Sequence, residues 1–162
     1  VKPCRGRTLR ETVAMGAMFA RDGKGVSARE ALEVAGEVLE MVGLGHRMNA
    51  YTDELNIAMR KRLELARALA LNPRLLLLDE VMAGLNLREV ERLMELVRTI
   101  NARGVTIIVI EHVMKAIMGI SDRIVVLHYG KKIAEGTPQQ VAQDERVITA
   151  YLGRRFGQGK GA

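Results

Sequence analysis

Cysteine and aromatic residues are scarce in this 162-residue chain, and tryptophan is absent. The single Cys4 excludes an intramolecular disulfide and a metal site built from several cysteines. With three tyrosines and two phenylalanines, the core must be aliphatic, with nine methionines to help fill it. So few rings also argue against a base-stacking surface for nucleic acid, which needs exposed aromatic side chains.

Long apolar runs are lacking as well. No stretch approaches the roughly 20 apolar residues of a membrane-spanning helix, and no signal peptide is visible, so we expect a soluble chain. The net charge is +6, part of it in Arg60-Lys61-Arg62 and part in a glycine-rich tail, 154–162, for which we expect disorder. A positive net charge is compatible with binding to nucleic acid or to an anionic membrane surface. The simpler interpretation is that the basic side chains lie on solvated helix faces.

Apolar strands and amphipathic helices alternate over most of the chain. Residues 1–26 show no strong period. Helices are predicted at about 27–42, 54–71, 87–102, 112–120 and from 137 onward. Strands are predicted at 75–78, 105–110, 122–128 and 132–134. Because the longer strands are uninterruptedly apolar and separated by helices, the pattern predicts an α/β fold with a mostly parallel sheet, buried on both faces.

Two adjacent acids, Asp79 and Glu80, follow the four leucines of residues 75–78. A buried charge needs a cation or hydrogen-bond donors, and open α/β sheets bind ligands at the carboxyl ends of their strands. Asp79 is therefore a candidate holder of Mg²⁺, and Glu80 a candidate base that polarises the water attacking a γ-phosphate. The alternative is a solvated strand end or a pair of helix-capping acids.

Three further segments are candidate parts of the same site. His112 follows the second apolar strand, where it is expected at the same sheet edge and could hydrogen-bond a phosphate oxygen. Gly84 permits close backbone approach, while Asn86 can cap the next helix, which explains it without any further role. The stretch Asn56-Ile57-Ala58-Met59 stands at a predicted helix N-terminus, which favours anions, although Met59 also has core spacing.

These pieces, in this order, resemble the ATP-binding subunit of ABC transporters, most closely that of the branched-chain amino acid importers. The leucine strand with its acids resembles the Walker B strand and catalytic glutamate, and residues 83–86 resemble the loop that contacts the partner subunit. His112 matches the switch histidine, and residues 60–70 are similar to the helix after the family's signature motif. Residues 122–127, 130 and 133–138 resemble the family's C-terminal segment.

The resemblance implies a P-loop NTPase-like fold with a helical subdomain, and ATP and Mg²⁺ as ligands. It implies catalytic roles for Glu80 and His112, metal binding by Asp79, and nucleotide contacts from residues 56–59, Gly84 and Asn86. The implied partners are transmembrane permease subunits and a second ATP-binding subunit, in a homodimer or heterodimer, with no nucleic acid. The implied location is cytoplasmic, on the inner face of the cell membrane.

The chain departs from the family pattern in two segments. The signature Leu-Ser-Gly-Gly-Gln is replaced by Leu55-Asn56-Ile57-Ala58-Met59, and Asn86 stands where aspartate is usual. More importantly, the sequence contains no Gly-x-x-x-x-Gly-Lys-Ser/Thr, the loop that cradles the β- and γ-phosphates. We therefore expect a truncated product or partial record lacking the N-terminal phosphate-loop part.

The expected organisation is a helical subdomain with the signature-like region at 1–71, and the Walker B and switch-histidine part of the core at 72–153. The expected function is an ATP-binding and ATP-hydrolysing importer subunit, although the isolated chain would be inactive. Two alternatives stay open. One is a catalytically inactive half-domain that serves as an interaction module, and the other is a soluble ABC ATPase associated with nucleic acid.

Overall fold

The computed structural model describes residues 6–20 and 26–152, without the side chain of Leu152. By their contacts, the residues form two compact units, Val1–Ile110 and Glu111–Ala162. This division does not test the boundary predicted at residue 71, which stays a prediction. The tail 154–162, for which disorder was expected, lies outside the described residues. No helix in the described segments is both long and apolar enough to span a membrane.

The first unit begins with three helices that pack on one another. They are α1 (Leu9–Met18), α2 (Ala28–Met41) and α3 (Ile57–Leu69), with α1 contacting both of the others. Short 3-10 turns at Gly45–Arg47 and Thr52–Glu54 lie between α2 and α3. The fully buried side chains of this part are aliphatic, as the scarcity of aromatic residues predicts, and include Leu9, Val13, Leu39 and Leu44.

Helix α1 lies where the sequence analysis found no strong period. Its first turn nevertheless has a clear signal, because Thr8 and Glu11 form a capping box in which each side chain accepts the other residue's backbone N–H. Helix α2 opens with the capping box of Ser27 and Glu30 that its sequence predicts. Helix α3 begins three residues later than predicted, since Leu55 and Asn56 are still extended.

The first unit ends in a strand–helix–strand arrangement. Strand β1 (Leu75–Asp79) pairs in parallel with β2 (Thr106–Ile110), and helix α4 (Leu87–Ala102) connects them. The register aligns Leu77 with Ile108 and Asp79 with Ile110. Helix α4 has the predicted bounds, and its buried face comprises Val90, Leu93, Met94, Leu96, Val97 and Ile100.

The prediction that the leucine strand is buried on both faces is wrong. Leu76 and Leu78 are buried, whereas Leu75 and Leu77 are 48% and 66% exposed. On the same face of β2, Ile108 and Ile110 are 48% and 59% exposed. Side chains alternate across a strand, so these residues form one apolar sheet face with no cover among the described residues of this unit.

The second unit is a small hairpin-and-helix structure. Helix α5 (Met114–Ile120) leads to β3 (Ile124–His128), which pairs antiparallel with β4 (Lys131–Gly136). Its hairpin turn places Tyr129 and Gly130 at φ of 46° and 74°, as a type I′ turn requires. Two helices, α6 (Pro138–Gln143) and α7 (Glu145–Val147), and a π-helical turn at Ile148–Leu152 follow.

A separate core holds this second unit together. Its buried side chains are Ile124, Val126, Ala134, Val141 and Val147. The return strand and the terminal pair of helices agree with the sequence prediction. The predicted α/β class, with a parallel strand pair, is confirmed.

Candidate functional site

The acids Asp79 and Glu80 lie at the carboxyl end of β1. Asp79 is the last residue of the strand, opposite Ile110 of β2, and Glu80 follows it directly. Both residues are exposed, so neither carries the desolvation cost that a buried charge would. The two acids are therefore not the buried pair that the sequence predicted, while their position at a parallel strand end agrees with the prediction.

The backbone of Glu80 has an uncommon conformation. Its φ is 47°, in the left-handed region that costs a residue with a Cβ about 1–2 kcal/mol. The Glu80 amide donates a hydrogen bond to the carbonyl of Ile110 at 2.9 Å, which extends the β1–β2 pairing by one residue. Strained backbones of this kind cluster at functional sites, where the surrounding structure maintains them.

The loop after Glu80 is a pair of tight turns. The Ala83 amide donates to the Glu80 carbonyl and the Leu85 amide to the Met82 carbonyl, each at 3.2 Å. Met82 is buried, while Gly84 has a φ of 77° that only glycine adopts without cost. This φ explains a glycine at position 84 without any ligand, while the close backbone approach predicted there stays a prediction.

Asn86 caps helix α4, the structural role that the sequence analysis offered for it. Its side-chain oxygen accepts the Glu89 amide at 3.0 Å, and the Glu89 carboxylate accepts the Asn86 amide at 2.9 Å. Glu89 was not among the predicted capping residues. Its signal was present, since an asparagine followed by glutamate three residues later is a capping-box spacing.

The signature-like segment forms the N-terminus of α3. Asn56 is the N-cap residue, and its side-chain oxygen accepts the Met59 amide at 2.9 Å. Ile57 is the first helical residue and is 60% exposed, so its side chain stands in solvent rather than in the core. Asn56 is exposed as well, and Ala58 is half-buried. Early amides of a helix lack intrahelical partners, which leaves this end suited to an anion.

His112 belongs to the second unit, between the end of β2 and Val113, the N-cap residue of α5. It is exposed. Glu80 belongs to the first unit and His112 to the second, so the predicted position of His112 beside Glu80 stays a prediction.

The donors at the end of β1 fit Mg²⁺. This ion is usually bound by one or two carboxylates together with substrate phosphates and water, rather than by a cage of protein ligands. Asp79 and Glu80 supply two exposed carboxylates, and no cluster of three or more potential metal-ligating side chains occurs in residues 6–20 and 26–152. The arrangement is suited to a metal that arrives with a phosphorylated ligand.

Two family models match the chain. One, described as ABC transporter, covers residues 5–83, and the other, described as Branched-chain amino acid ATP-binding cassette transporter, covers residues 131–157. The first match includes the signature-like segment and the acids of β1. The second covers β4 and the helices that follow it.

Curated relatives and solved structures agree with these matches. The branched-chain amino acid transport ATP-binding protein BraF of Pseudomonas aeruginosa is 44% identical over 78% of this chain and 50% of its own length. The lipopolysaccharide export system ATP-binding protein LptB of Haemophilus influenzae is 33% identical over 82% of this chain and 55% of its own length. The chain thus spans about half the length of these curated relatives.

A solved ATP-binding cassette of an ABC transporter, MJ1267, superimposes on 90% of this chain and 63% of its own length with a TM-score of 0.75 at 26% identity. The similarity in fold therefore extends over nearly the whole sequence. Together with the family matches and BraF, this structure identifies the chain as a member of the ABC transporter ATP-binding family, similar to its branched-chain amino acid members.

Proposed function

We propose that the protein is the ATP-binding and ATP-hydrolysing subunit of an importer for branched-chain amino acids. The observation that carries the proposal is Glu80, an exposed carboxylate held in a left-handed conformation at the end of a parallel strand. The 44% identity to BraF supports the solute class, since that relative is named as a branched-chain amino acid transport protein. LptB, which is named as a lipopolysaccharide export protein, has a lower identity of 33% to this chain.

Glu80 is the general base in this proposal. Its carboxylate accepts a hydrogen bond from the attacking water and polarises it toward the γ-phosphate of ATP. Asp79 would hold Mg²⁺, which supplies positive charge to the phosphate oxygens when bound. His112 is assigned the donation of a hydrogen bond to a phosphate oxygen, which stabilises charge that grows during the transfer.

The remaining site residues serve the contact between two ATP-binding subunits. The N-terminus of α3, residues 56–59, offers backbone amides and a positive dipole end to a phosphate held by the second subunit. Gly84 and Asn86 lie on the loop assigned to the subunit contact. The other partners are transmembrane permease subunits, which place the protein on the cytoplasmic face of the cell membrane.

The substitution Glu80→Gln tests the catalytic assignment. It removes the base and preserves size, so in the native protein ATP hydrolysis should fall at least about 100-fold while ATP binding persists. Glu37→Gln, which alters an exposed acid of α2, is the matched control and should leave turnover unchanged. Undiminished turnover in the Glu80 variant would refute the role of this residue.

A second candidate is an interaction module that does not hydrolyse ATP. It is favoured by one observation, the replacement of the signature Leu-Ser-Gly-Gly-Gln by Leu55-Asn56-Ile57-Ala58-Met59, which puts the bulk of Ile57 where close approach to a phosphate is needed. For this candidate, calorimetry of the 162-residue chain with ATP and Mg²⁺ should detect no binding at millimolar nucleotide. Tight binding would exclude it and would require a phosphate site built differently from that of the family.

A further inference from the structure

The second unit contains a surface cleft of about 570 Å³ that the proposed function does not use. One wall is the tip of the β3–β4 hairpin, and the other is α7 with the π-helical turn that follows it. Its volume lies in the range of roughly 300–1,000 Å³ that is typical of small-molecule sites. The hairpin lines the cleft with His128, Tyr129 and Ile133, and the helical wall lines it with Glu145, Arg146 and Ala150.

Aromatic side chains, which are scarce in the chain, gather at this cleft. Tyr129 and Tyr151 are two of the three tyrosines, and their ring centroids lie 4.3 Å and 6.4 Å from that of His128. The Tyr151 hydroxyl donates a hydrogen bond to the Leu127 carbonyl at 2.8 Å, which ties the π-helical turn to β3. Tyr129 is 84% exposed, so its ring is accessible to a ligand.

Stability of the hairpin turn does not explain a tyrosine at position 129. Its φ of 46° is in the left-handed region, where a type I′ turn usually has asparagine, aspartate or glycine. The Cβ of a tyrosine makes that region unfavourable. Residues held in such conformations cluster at ligand-binding and functional sites. The exposed ring is therefore better explained by a molecule that it contacts than by the turn in which it stands.

The charged groups of the cleft include one carboxylate that no cation balances. Arg146 is bound by Asp144, whose two carboxylate oxygens accept hydrogen bonds from its Nε and Nη2 at 3.1 Å and 2.7 Å. Glu145 is exposed and has no ion pair with any residue that the structure describes. The half-buried side chains of Ile133 and Ala150 supply an aliphatic surface in the same cleft.

A carboxylate, an aromatic ring and an aliphatic surface together are suited to an organic cation. The carboxylate attracts an ammonium group, and an aromatic face binds such a group through the cation–π interaction. We propose that this cleft binds a small aliphatic amine, whose ammonium group is held by Glu145 and Tyr129 and whose hydrocarbon chain contacts Ile133 and Ala150. Arg146 does not oppose this ligand, because Asp144 neutralises its charge.

An NMR titration of the full 162-residue chain with isopentylammonium chloride tests the proposal. The amide resonances of the cleft residues should shift saturably at millimolar amine. Isopentanol is the neutral analogue, and leucine has the same aliphatic chain beside a carboxylate. Both should bind about threefold or more weakly than the amine, because one lacks the positive charge and the other brings a negative charge that Glu145 repels.

Two substitutions test the residues that hold the ammonium group. Glu145→Gln removes the charge and should weaken binding of isopentylammonium about threefold or more. Tyr129→Asn removes the ring and supplies a residue that a type I′ turn prefers, so binding should weaken while the melting temperature stays equal or rises. Glu37→Gln, which removes an exposed acid of α2 in the first unit, is the matched control and should leave binding unchanged.

Equal binding of isopentylammonium, isopentanol and leucine would overturn the proposal, because the cleft would then bind aliphatic groups regardless of their charge. An affinity that is unchanged in Glu145→Gln or in Tyr129→Asn would overturn it as well, and so would the absence of saturable shifts in the cleft. The Glu80→Gln test of hydrolysis does not bear on this site, since Glu80 belongs to the first unit and the cleft to the second.

Discussion

Glu80 combines an exposed carboxylate with a backbone conformation that glutamate rarely adopts. Nothing in the sequence predicts that conformation, because glycine and asparagine are the residues usually found there. The sequence does predict the position of this acid at a strand end. An acid at the end of this strand could therefore be predicted from the sequence, whereas its left-handed backbone could be found only in the structure.

The strain at Glu80 has a measurable consequence for stability. Glu80→Gly removes the Cβ that is disfavoured at positive φ, so the free energy of unfolding should stay equal or rise by up to about 1 kcal/mol. The same substitution at Glu64, an exposed position inside α3, should lower it by about 1 kcal/mol, because glycine is a poor helix former. Urea denaturation measures both. A loss at position 80 as large as that at position 64 would contradict the strained conformation.

At the scale of elements, the sequence predicts α4 to the residue. Its apolar spacing is regular, Asn86 caps its start, and Gly104, at φ of 89°, stands two residues beyond its end. Helix α1 was not predicted, because its capping box was not recognised and its apolar period is weak. The double-sided burial predicted for β1 was wrong for a different reason. An apolar sequence shows that the side chains on both faces of a strand are hydrophobic, but it does not show whether another element covers each face.

The two faces of β1 should respond differently to truncation. Leu76→Ala deletes a buried side chain and should cost about 2–5 kcal/mol of unfolding free energy. Leu77→Ala changes an exposed neighbour and should cost less than about 1 kcal/mol. Thermal or urea denaturation of the two variants of this chain provides the comparison. Equal losses would mean that Leu77 is buried in solution.

The start of α7 predicts a pH dependence in the second unit. The Arg146 side chain, at 2.7 Å from Asp144, lowers the pKa of that carboxyl to about 2, with help from backbone amides. Because this folded-state pKa is below the ordinary value of about 3.9, the interaction stabilises the unit fully above about pH 4. That stabilisation is lost as the pH falls through about 2.

An NMR titration of the Asp144 carboxyl carbon measures this effect. Arg146→Ala should raise the pKa of Asp144 toward its ordinary value, since the largest cause of the lowered pKa is removed. Arg123→Ala is the control, because Arg123 pairs with Glu135 at 3.3 Å rather than with Asp144. If the pKa of Asp144 stays near 2 without Arg146, the backbone amides alone hold it there.

At the scale of the whole molecule, each unit has its own core and its own exposed apolar strand residues. Leu77 and Ile108 are exposed in the first unit, and Val125 and Leu127 in the second. Exposed apolar patches of this kind mark surfaces that bind other chain segments or promote association.

The family and the class of fold could be predicted from the sequence because the motifs around residues 54–138 are specific. The proximity of His112 to Glu80 stays a prediction, because the two residues belong to different units.

The most direct test of the proposed function is leucine uptake by the source cells. Deletion of the gene should abolish high-affinity uptake of radiolabelled leucine, and a chromosomal copy of the native gene should restore it. A copy carrying Glu80→Gln should be produced at the same level and restore no uptake, because transport requires hydrolysis. Full uptake with the Glu80→Gln copy, or uptake that is unaffected by the deletion, would contradict the account.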